Sequence, residues 1–271
     1  MPQKGQFIAG LLYEESEAYH IFASHQQYNI TYKKGGESYG IDATQGYLTA
    51  QYGVNDHWAL DLSIGATTVG SRSFSAGHVE STTGLMDIGF GVRYQICKES
   101  PDLPGWMPNL VFRAGAVLPG GYEKDSAFAP GMRSAAIEPE FLAKKHFGWT
   151  GFGAYTDLLY RWNKTIGNDQ YLASVGLFQE IKSWELNAGY RHLQSLAGDN
   201  IQFDPADPTG LLYPRNIHEI NEAIEAGFSY TTGKHHVRLG FHTRTIFAGT
   251  NTDRKFWIGG SIDVPLGPWG K

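Results

Sequence analysis

Strict alternation of apolar and polar residues constrains this chain more than any other feature of its sequence. Over residues 86–97, Met86, Ile88, Phe90, Val92, Tyr94 and Ile96 alternate without a break against Asp87, Gly89, Gly91, Arg93, Gln95 and Cys97. A period of two puts each set on its own face of a β-strand. The pattern returns at 219–246. There Ile224, Ala226, Phe228 and Tyr230, then Val237, Leu239 and Phe241, make one face, and Glu225, Arg238, His242 and Arg244 the other. Thr232-Gly233-Lys234 lies between the two runs and predicts a tight antiparallel turn.

A soluble sheet would bury such an apolar face on a core. Here the alternation recurs along nearly the whole chain and leaves no helix-period stretch to cover it. Lipid is then the predicted cover, and the charges face the inside of a closed transmembrane β-barrel. A mean hydropathy of −0.32 does not oppose this, because half of every spanning strand faces a polar lumen. The longest apolar run, residues 7–13, falls far below the roughly 18 residues of a membrane helix, which excludes spanning helices. The 34 glycines and 14% aromatic content fit closely packed strands that end in aromatic girdles.

About twelve strands can be drawn, all in one barrel domain over 1–271. Short connections at 55–56, 98–107, 148, 182–183 and 233–234 alternate with generally longer ones. That is the rhythm of short periplasmic turns and long outer loops, with both termini periplasmic. Tyr52, Trp58, Tyr94, Trp184 and Tyr230 fall on outward positions beside the short turns, where an interfacial girdle belongs. Residues 14–45 read as an extended hairpin top or loop, 70–84 as a loop rich in Ser, Thr and Gly, and 256–264 as the closing strand. Pro139 lacks the N–H that a central ladder needs and predicts a bulged or late-starting strand over 137–147.

Four segments carry a resemblance: GYLTAQYGVNDHWALDLSIGATTVG at 46–70, MDIGFGVRYQI at 86–96, PNLVFRAGAVLPGG at 108–121 and FWIGGSIDVPLG at 256–267. The chain resembles the outer-membrane channel family named for the meta-pathway of phenol degradation, and the likeness extends diffusely over most of its length. The resemblance implies a narrow channel admitting small, often apolar or monoaromatic molecules across the bacterial outer membrane. It brings no catalytic or ligand-binding residue set that maps onto this sequence.

The predicted pore-lining residues are Asp87, Arg93, Arg113, Glu138, Glu140, Asp157, Arg161, Arg191, Glu225, Arg238, His242 and Arg244, with Glu180 and Glu185 on the same face. Buried charges are paired as a rule, so these groups either pair across the lumen and stiffen the barrel or flank a passage. Inward glycines at 89, 91, 115, 151, 153, 176, 189, 227, 240 and 259 leave volume near the wall. In the stretch 202–216, Phe203, Leu211, Leu212 and Tyr213 are more apolar than an exposed loop requires. They are candidates for a constriction folded into the lumen, the alternative being packing on neighbouring loops.

Outer-membrane lipid hydrolases are barrels of similar size in which a serine stands two residues after a histidine, on the same face. His192 and Ser195 are three apart, which in a regular strand sets them on opposite faces, so no enzyme is expected. His235 and His236 likewise diverge and make a poor metal pair. No cofactor is required. The net charge of −5, with no basic run, gives no footprint for nucleic acid. The expected partners are membrane lipids or detergent and a small-molecule solute, with the barrel a monomer. A single cysteine, Cys97, forms no internal disulfide. Residues 1–4 begin no signal peptide, so an exported barrel is expected to have lost a leader. The expected function is diffusion-driven uptake of small molecules, with a narrow porin for polar or charged solutes and a lipid hydrolase as alternatives.

Overall fold

The computed structural model describes residues 1–271 except 30–31, 35–36, 73–78, 100–104, 122–133, 149, 165–167, 205–206, 213–216, 234 and 268–271. In chain order the strands are β1 (Phe7–Ala23), β2 (Gln26–Asn29), β3 (Tyr32–Lys34), β4 (Glu37–Tyr39), β5 (Ile41–Gly53), β6 (Trp58–Arg72), β7 (Val79–Leu85), β8 (Ile88–Cys97) and β9 (Asn109–Leu118). They continue as β10 (Ala136–His146), β11 (Phe152–Asn163), β12 (Gln170–Ile181), β13 (Trp184–Ser195), β14 (Gln202–Asp204), β15 (Asp207–Leu212), β16 (Ile220–Thr231), β17 (Arg238–Thr250) and β18 (Thr252–Leu266). β1, β5, β6, β8 to β13 and β16 to β18 pair antiparallel with successive neighbours. β18 returns to β1, from Phe7↔Leu266 to Phe22↔Thr252, and closes a barrel of twelve strands. Closure of the twelve strands removes the open edges a flat sheet would have, the condition for placing a sheet in hydrocarbon.

The period-two pattern sorts the side chains as expected. Leu11, Leu48 and Ile64 sit in register on β1, β5 and β6 and are all exposed on the outer face. With similar rows around the barrel they make an apolar belt far larger than the surface of a water-soluble monomer tolerates. At the end of the barrel holding the short turns, the start of β1 and the end of β18, Trp58 packs on Tyr94 with ring centroids 4.6 Å apart, and Trp184 on Tyr230 at 4.9 Å. This is the girdle the sequence predicts.

Several boundaries differ from expectation. Residues 14–45 follow the extended-hairpin reading rather than the loop one: β1 continues to Ala23, β5 begins at Ile41, and short hairpin strands lie between. The stretch 70–84 is likewise largely strand, since β7 pairs with β6 from Ala66↔Leu85 to Arg72↔Val79. The unbroken alternation of 86–97 is interrupted at Met86-Asp87, and Met86 is buried rather than outward. Gly120 and Gly121 cause this by crossing there: Gly121 N donates to Leu85 O, and Gly120 N to Asp87 Oδ1 at 2.9 Å. A Cβ on Gly120 would strike the Met86 carbonyl. Trp149 lies outside the described residues, and its strand begins at Phe152.

Pro139 produces no bulge. It pairs with Ala114 of β9, while the β10–β11 ladder skips from Ile137↔Trp162 to Glu140↔Leu159 in unchanged register. The missing N–H therefore costs ladder contacts on one side only. Val237 belongs to the 232–237 turn rather than to β17, with its N–H donating to Thr232 Oγ1.

The rhythm of short and long connections has exceptions: the 98–108 connection on the short-turn side is longer than 164–169 on the loop side, and the β17–β18 connection is the sharpest departure. β17 runs to Thr250 and β18 starts at Thr252, so Asn251 alone turns the chain at the loop end, with φ of 53°. Asn tolerates this left-handed conformation better than other side chains with a Cβ. Its amide also ties the loop end together, accepting from Ser24 N and Ile201 N and donating to Asn200 Oδ1 and His218 O. Beneath it Ala18, Ile21, Ile41, Ala43, Val69 and Ile201 form a buried apolar cluster.

Candidate functional site: the barrel lumen

The lumen is built by the inward half of each strand. A chain of charges runs along its wall from strand to strand. Arg93 Nε lies 3.5 Å from Asp61 Oδ1, and Arg113 Nε lies 2.6 Å from the same oxygen. Arg113 Nη1 stands 3.6 Å from Glu138 and 3.5 Å from Glu140, and Arg161 Nη2 lies 2.6 Å from Glu138. Asp157 sits beside Glu140. Six of the predicted pore-lining residues thus form one network, completed by Asp61, which belongs to the inward face of β6.

Glycines make these contacts possible between strands that are not neighbours. Asp61 and Arg113 meet across β8, above Gly91, where a Cβ would lie 2.6 Å from Asp61 Oδ2 and 2.8 Å from Arg113 Nε. Tyr155 lies flat over Gly176 and Gly189, and its hydroxyl donates to Glu225 at 3.4 Å. The volume left by these glycines is therefore occupied, and the side chains that occupy it lie along the wall rather than across the lumen.

At the terminal end, Lys144 Nζ stands 2.8 Å from Glu180 and 2.6 Å from Glu185, which also holds Arg238 at 2.8 Å. Lys144 lies 4.1 Å from the centroid of Phe178, a buried inward aromatic. Glu99, in the 98–108 turn, binds Lys145 and His146. Burial alone would raise the Glu99 carboxyl, but hydrogen bonds from Lys145 and His146 outweigh it and hold it at about 2. A cavity of about 760 Å³ opens here, bordered by Gln3, His57, Gln95 and these lysines.

A smaller cavity of about 160 Å³ lies toward the loop end, between Arg191, Arg244, Ile246 and Trp257. Glu219 borders it from outside the strands. Burial pushes its carboxyl upward, against hydrogen bonds from Asn221 and Thr252. His242 faces the lumen and bonds Glu14.

Of the predicted positions, Asp87 alone is diverted, clamping Gly120 at the strand break. For the predicted constriction, Phe203 pairs with Leu211 in the β14–β15 hairpin and Leu212 with Gln202; only the backbone of these residues is described, and Tyr213 lies outside the described residues. Sequence reading missed Glu14, Asp253 and Lys255 because it stopped β1 and started β18 too close to the terminal end. Alternation carried through to 252–255 would have found the last two.

His192 and Ser195 do point to opposite faces. His192 Nε2 is 3.3 Å from the outward Tyr171 hydroxyl, while Ser195 is fully buried and accepts from Gln170. Among the described residues no histidine is within hydrogen-bond reach of Ser195, so His192 and Ser195 do not form a base–nucleophile pair. Among the described residues no group of three or more His, Cys, Asp or Glu side chains is placed to hold a metal ion.

Comparison of the sequence with protein families and with curated proteins finds no match. Among solved structures, an outer membrane channel from Pseudomonas putida F1 superposes over 98% of this chain and 97% of its own, with TM-score 0.72 and 14% identity. The transport unit of the autotransporter AIDA-I from Escherichia coli matches at TM-score 0.48 and 10% identity, over 98% and 91%. The P. putida toluene transporter TodX matches at 0.45 and 9%, over 100% and 92%. The chain has the closed antiparallel fold of an outer-membrane β-barrel.

Proposed function

We propose that this protein is a single-domain, monomeric channel of the bacterial outer membrane, with both termini in the periplasm, through which small molecules, monoaromatic ones foremost, diffuse inward. The carrying observation is how the lumen is lined. Arg93, Arg113, Arg161 and Arg238 are paired with carboxylates along the wall, and cavities of about 760 Å³ and 160 Å³ remain at its two ends. Paired charges avoid the desolvation cost that would otherwise draw the wall together around them. The fold shared with the P. putida channel and the resemblance to the phenol-pathway family support the same reading. Diffusion through such a passage requires no cofactor.

The density of charge in the lumen favours a second reading, a narrow porin for small polar or charged solutes. Uptake separates the two. Cells whose outer membrane carries lipopolysaccharide, with and without the protein, are given a labelled monoaromatic compound or a sugar of similar size. Faster entry of the aromatic alone is expected. Faster entry of the sugar would establish the porin, and no change in either would mean a barrel that conducts neither.

A further inference from the structure

Gly53 ends β5 on an inward position of the terminal mouth, and it is buried. What covers it is the first turn of the chain. Gly5 N donates to Gly53 O at 2.7 Å and Gly53 N to Gln6 O at 2.9 Å, which pins the start of β1 to the end of β5. Gly5 takes a φ of 73°, a left-handed conformation that reverses the chain. Gln6 N then donates back to Gln3 O, and Gln3 N to Gln6 Oε1 at 3.0 Å. The reversal sets the first residues inside the mouth. A Cβ on Gly53 would strike the Gln3 carbonyl and lie 2.9 Å from that of Pro2, so this backbone rests directly on the inward face of β5. Pro2 is itself buried. Gly53, Ala59 and Arg93 stand in register across β5, β6 and β8. Ala59 is fully buried, and Met1 reaches the charges of Arg93 and Lys98, so the segment crosses from β5 toward β8.

Met1, Pro2 and Gln3 form one border of the 760 Å³ cavity, whose other borders include Lys144, Lys145 and His146 of β10. Their attachment is local. Before Gly5, no hydrogen bond or ion pair joins residues 1–4 to the barrel wall among the described residues; the two bonds of Gln3 both close on Gln6 within the turn. A segment hinged at one end and seated by contact alone opens at a small fraction of the cost of unfolding the barrel. We propose that residues 1–4 are a strap folded into the terminal mouth and hinged at Gly5, which narrows the passage while seated on Gly53 and widens it by swinging off. The effect on passage rests on the channel reading; the inward seat of the strap does not.

The test uses the whole barrel, in lipid nanodiscs for chemistry and in planar bilayers for conductance. Cys97, the single cysteine, borders the same cavity, so its rate of reaction with a bulky water-soluble maleimide reads access past the strap. Two variants displace the strap by different means. Deletion of residues 1–4 removes it, and Gly53→Ala leaves it in the chain but takes away its seat. Each is expected to raise the Cys97 rate about fivefold or more, because attack on a transiently opened state tracks the open population. Each should also raise single-channel conductance and leave the heat resistance of the barrel unchanged. Should Gly53→Ala fail to give a heat-resistant barrel, the deletion decides. An unchanged Cys97 rate in the deletion, a faster rate with unchanged conductance in a barrel that conducts, or a faster rate gained only with loss of heat resistance would overturn the proposal. A faster Cys97 rate in barrels that conduct nothing, in cells that take up neither the aromatic nor the sugar, would leave the seat of the strap standing and sink the channel reading. Solute uptake with a Cys97 rate indifferent to the deletion would do the reverse.

Discussion

His242 Nε2 lies 2.8 Å from Glu14 Oε1, and the contact passes over Gly259 on the strand between them, which pairs with both residues. A Cβ on Gly259 would stand 2.5 Å from His242 Cε1 and 2.8 Å from the backbone oxygen of Tyr13. The imidazole could turn away, but the backbone could not. Gly259→Ala is therefore expected to break the pair and destabilise the barrel by about 1–3 kcal/mol, the usual cost of overpacking. The midpoint of urea unfolding in lipid vesicles checks this, and an unchanged midpoint would show that the strands yield freely.

Arg113 and Arg238 should separate stability from passage. Arg113 is nearly buried against Asp61, Glu138 and Glu140. Arg113→Ala is expected to cost about 3–5 kcal/mol, because it strands buried carboxylates. Adding Asp61→Asn should restore part of that loss, since the two side chains share one contact. Arg238 is half exposed at the mouth, and Arg238→Ala should change stability by only about 0–1 kcal/mol while altering flux selectivity. A loss of heat resistance in Arg113→Ala, with no flux change in either variant, would mark the lumen as a packed strut.

Leu48 reports whether lipid covers the belt. It is 64% exposed at the middle of β5, between Leu11 and Ile64. Leu48→Arg is expected to cost roughly 2–4 kcal/mol in a bilayer if the residue sits near the midplane. Folding equilibria measured in vesicles would show this, and no loss there would place the outer face away from hydrocarbon.

Glu99 gives a pH-dependent contact at the terminal mouth. Its carboxyl, held at about 2 against an ordinary 4.5, is depressed in the folded state. Its contribution is therefore complete above about pH 4.5 and disappears as pH falls toward 2. Solvent at the mouth keeps the effect small. An NMR titration of the Glu99 carboxyl carbon should show the low midpoint, and Lys145→Ala should move it upward. A midpoint near 4.5 in the unaltered protein would refute the contact.

The sequence by itself determined the barrel, its strand number, the face on which most side chains lie and the girdle beside the short turns. All follow from a local period of two that each strand carries independently. Even the opposition of His192 and Ser195 was legible from spacing alone. Only the tertiary structure decided where alternation stops. Met86 is buried where Gly120 and Gly121 cross the strand break, and Asn251 replaces a long loop because its amide finds Ser24, Ile201, Asn200 and His218 at once. It alone also decided which charges are paired. Arg113 and Arg191 both occupy inward positions of their strands, each two residues from a glycine on the same face. Arg113 reaches Asp61 over a glycine two strands away, whereas Arg191 meets Arg244 beside Trp257, because closing the barrel sets the neighbours of every inward side chain and no strand encodes them alone.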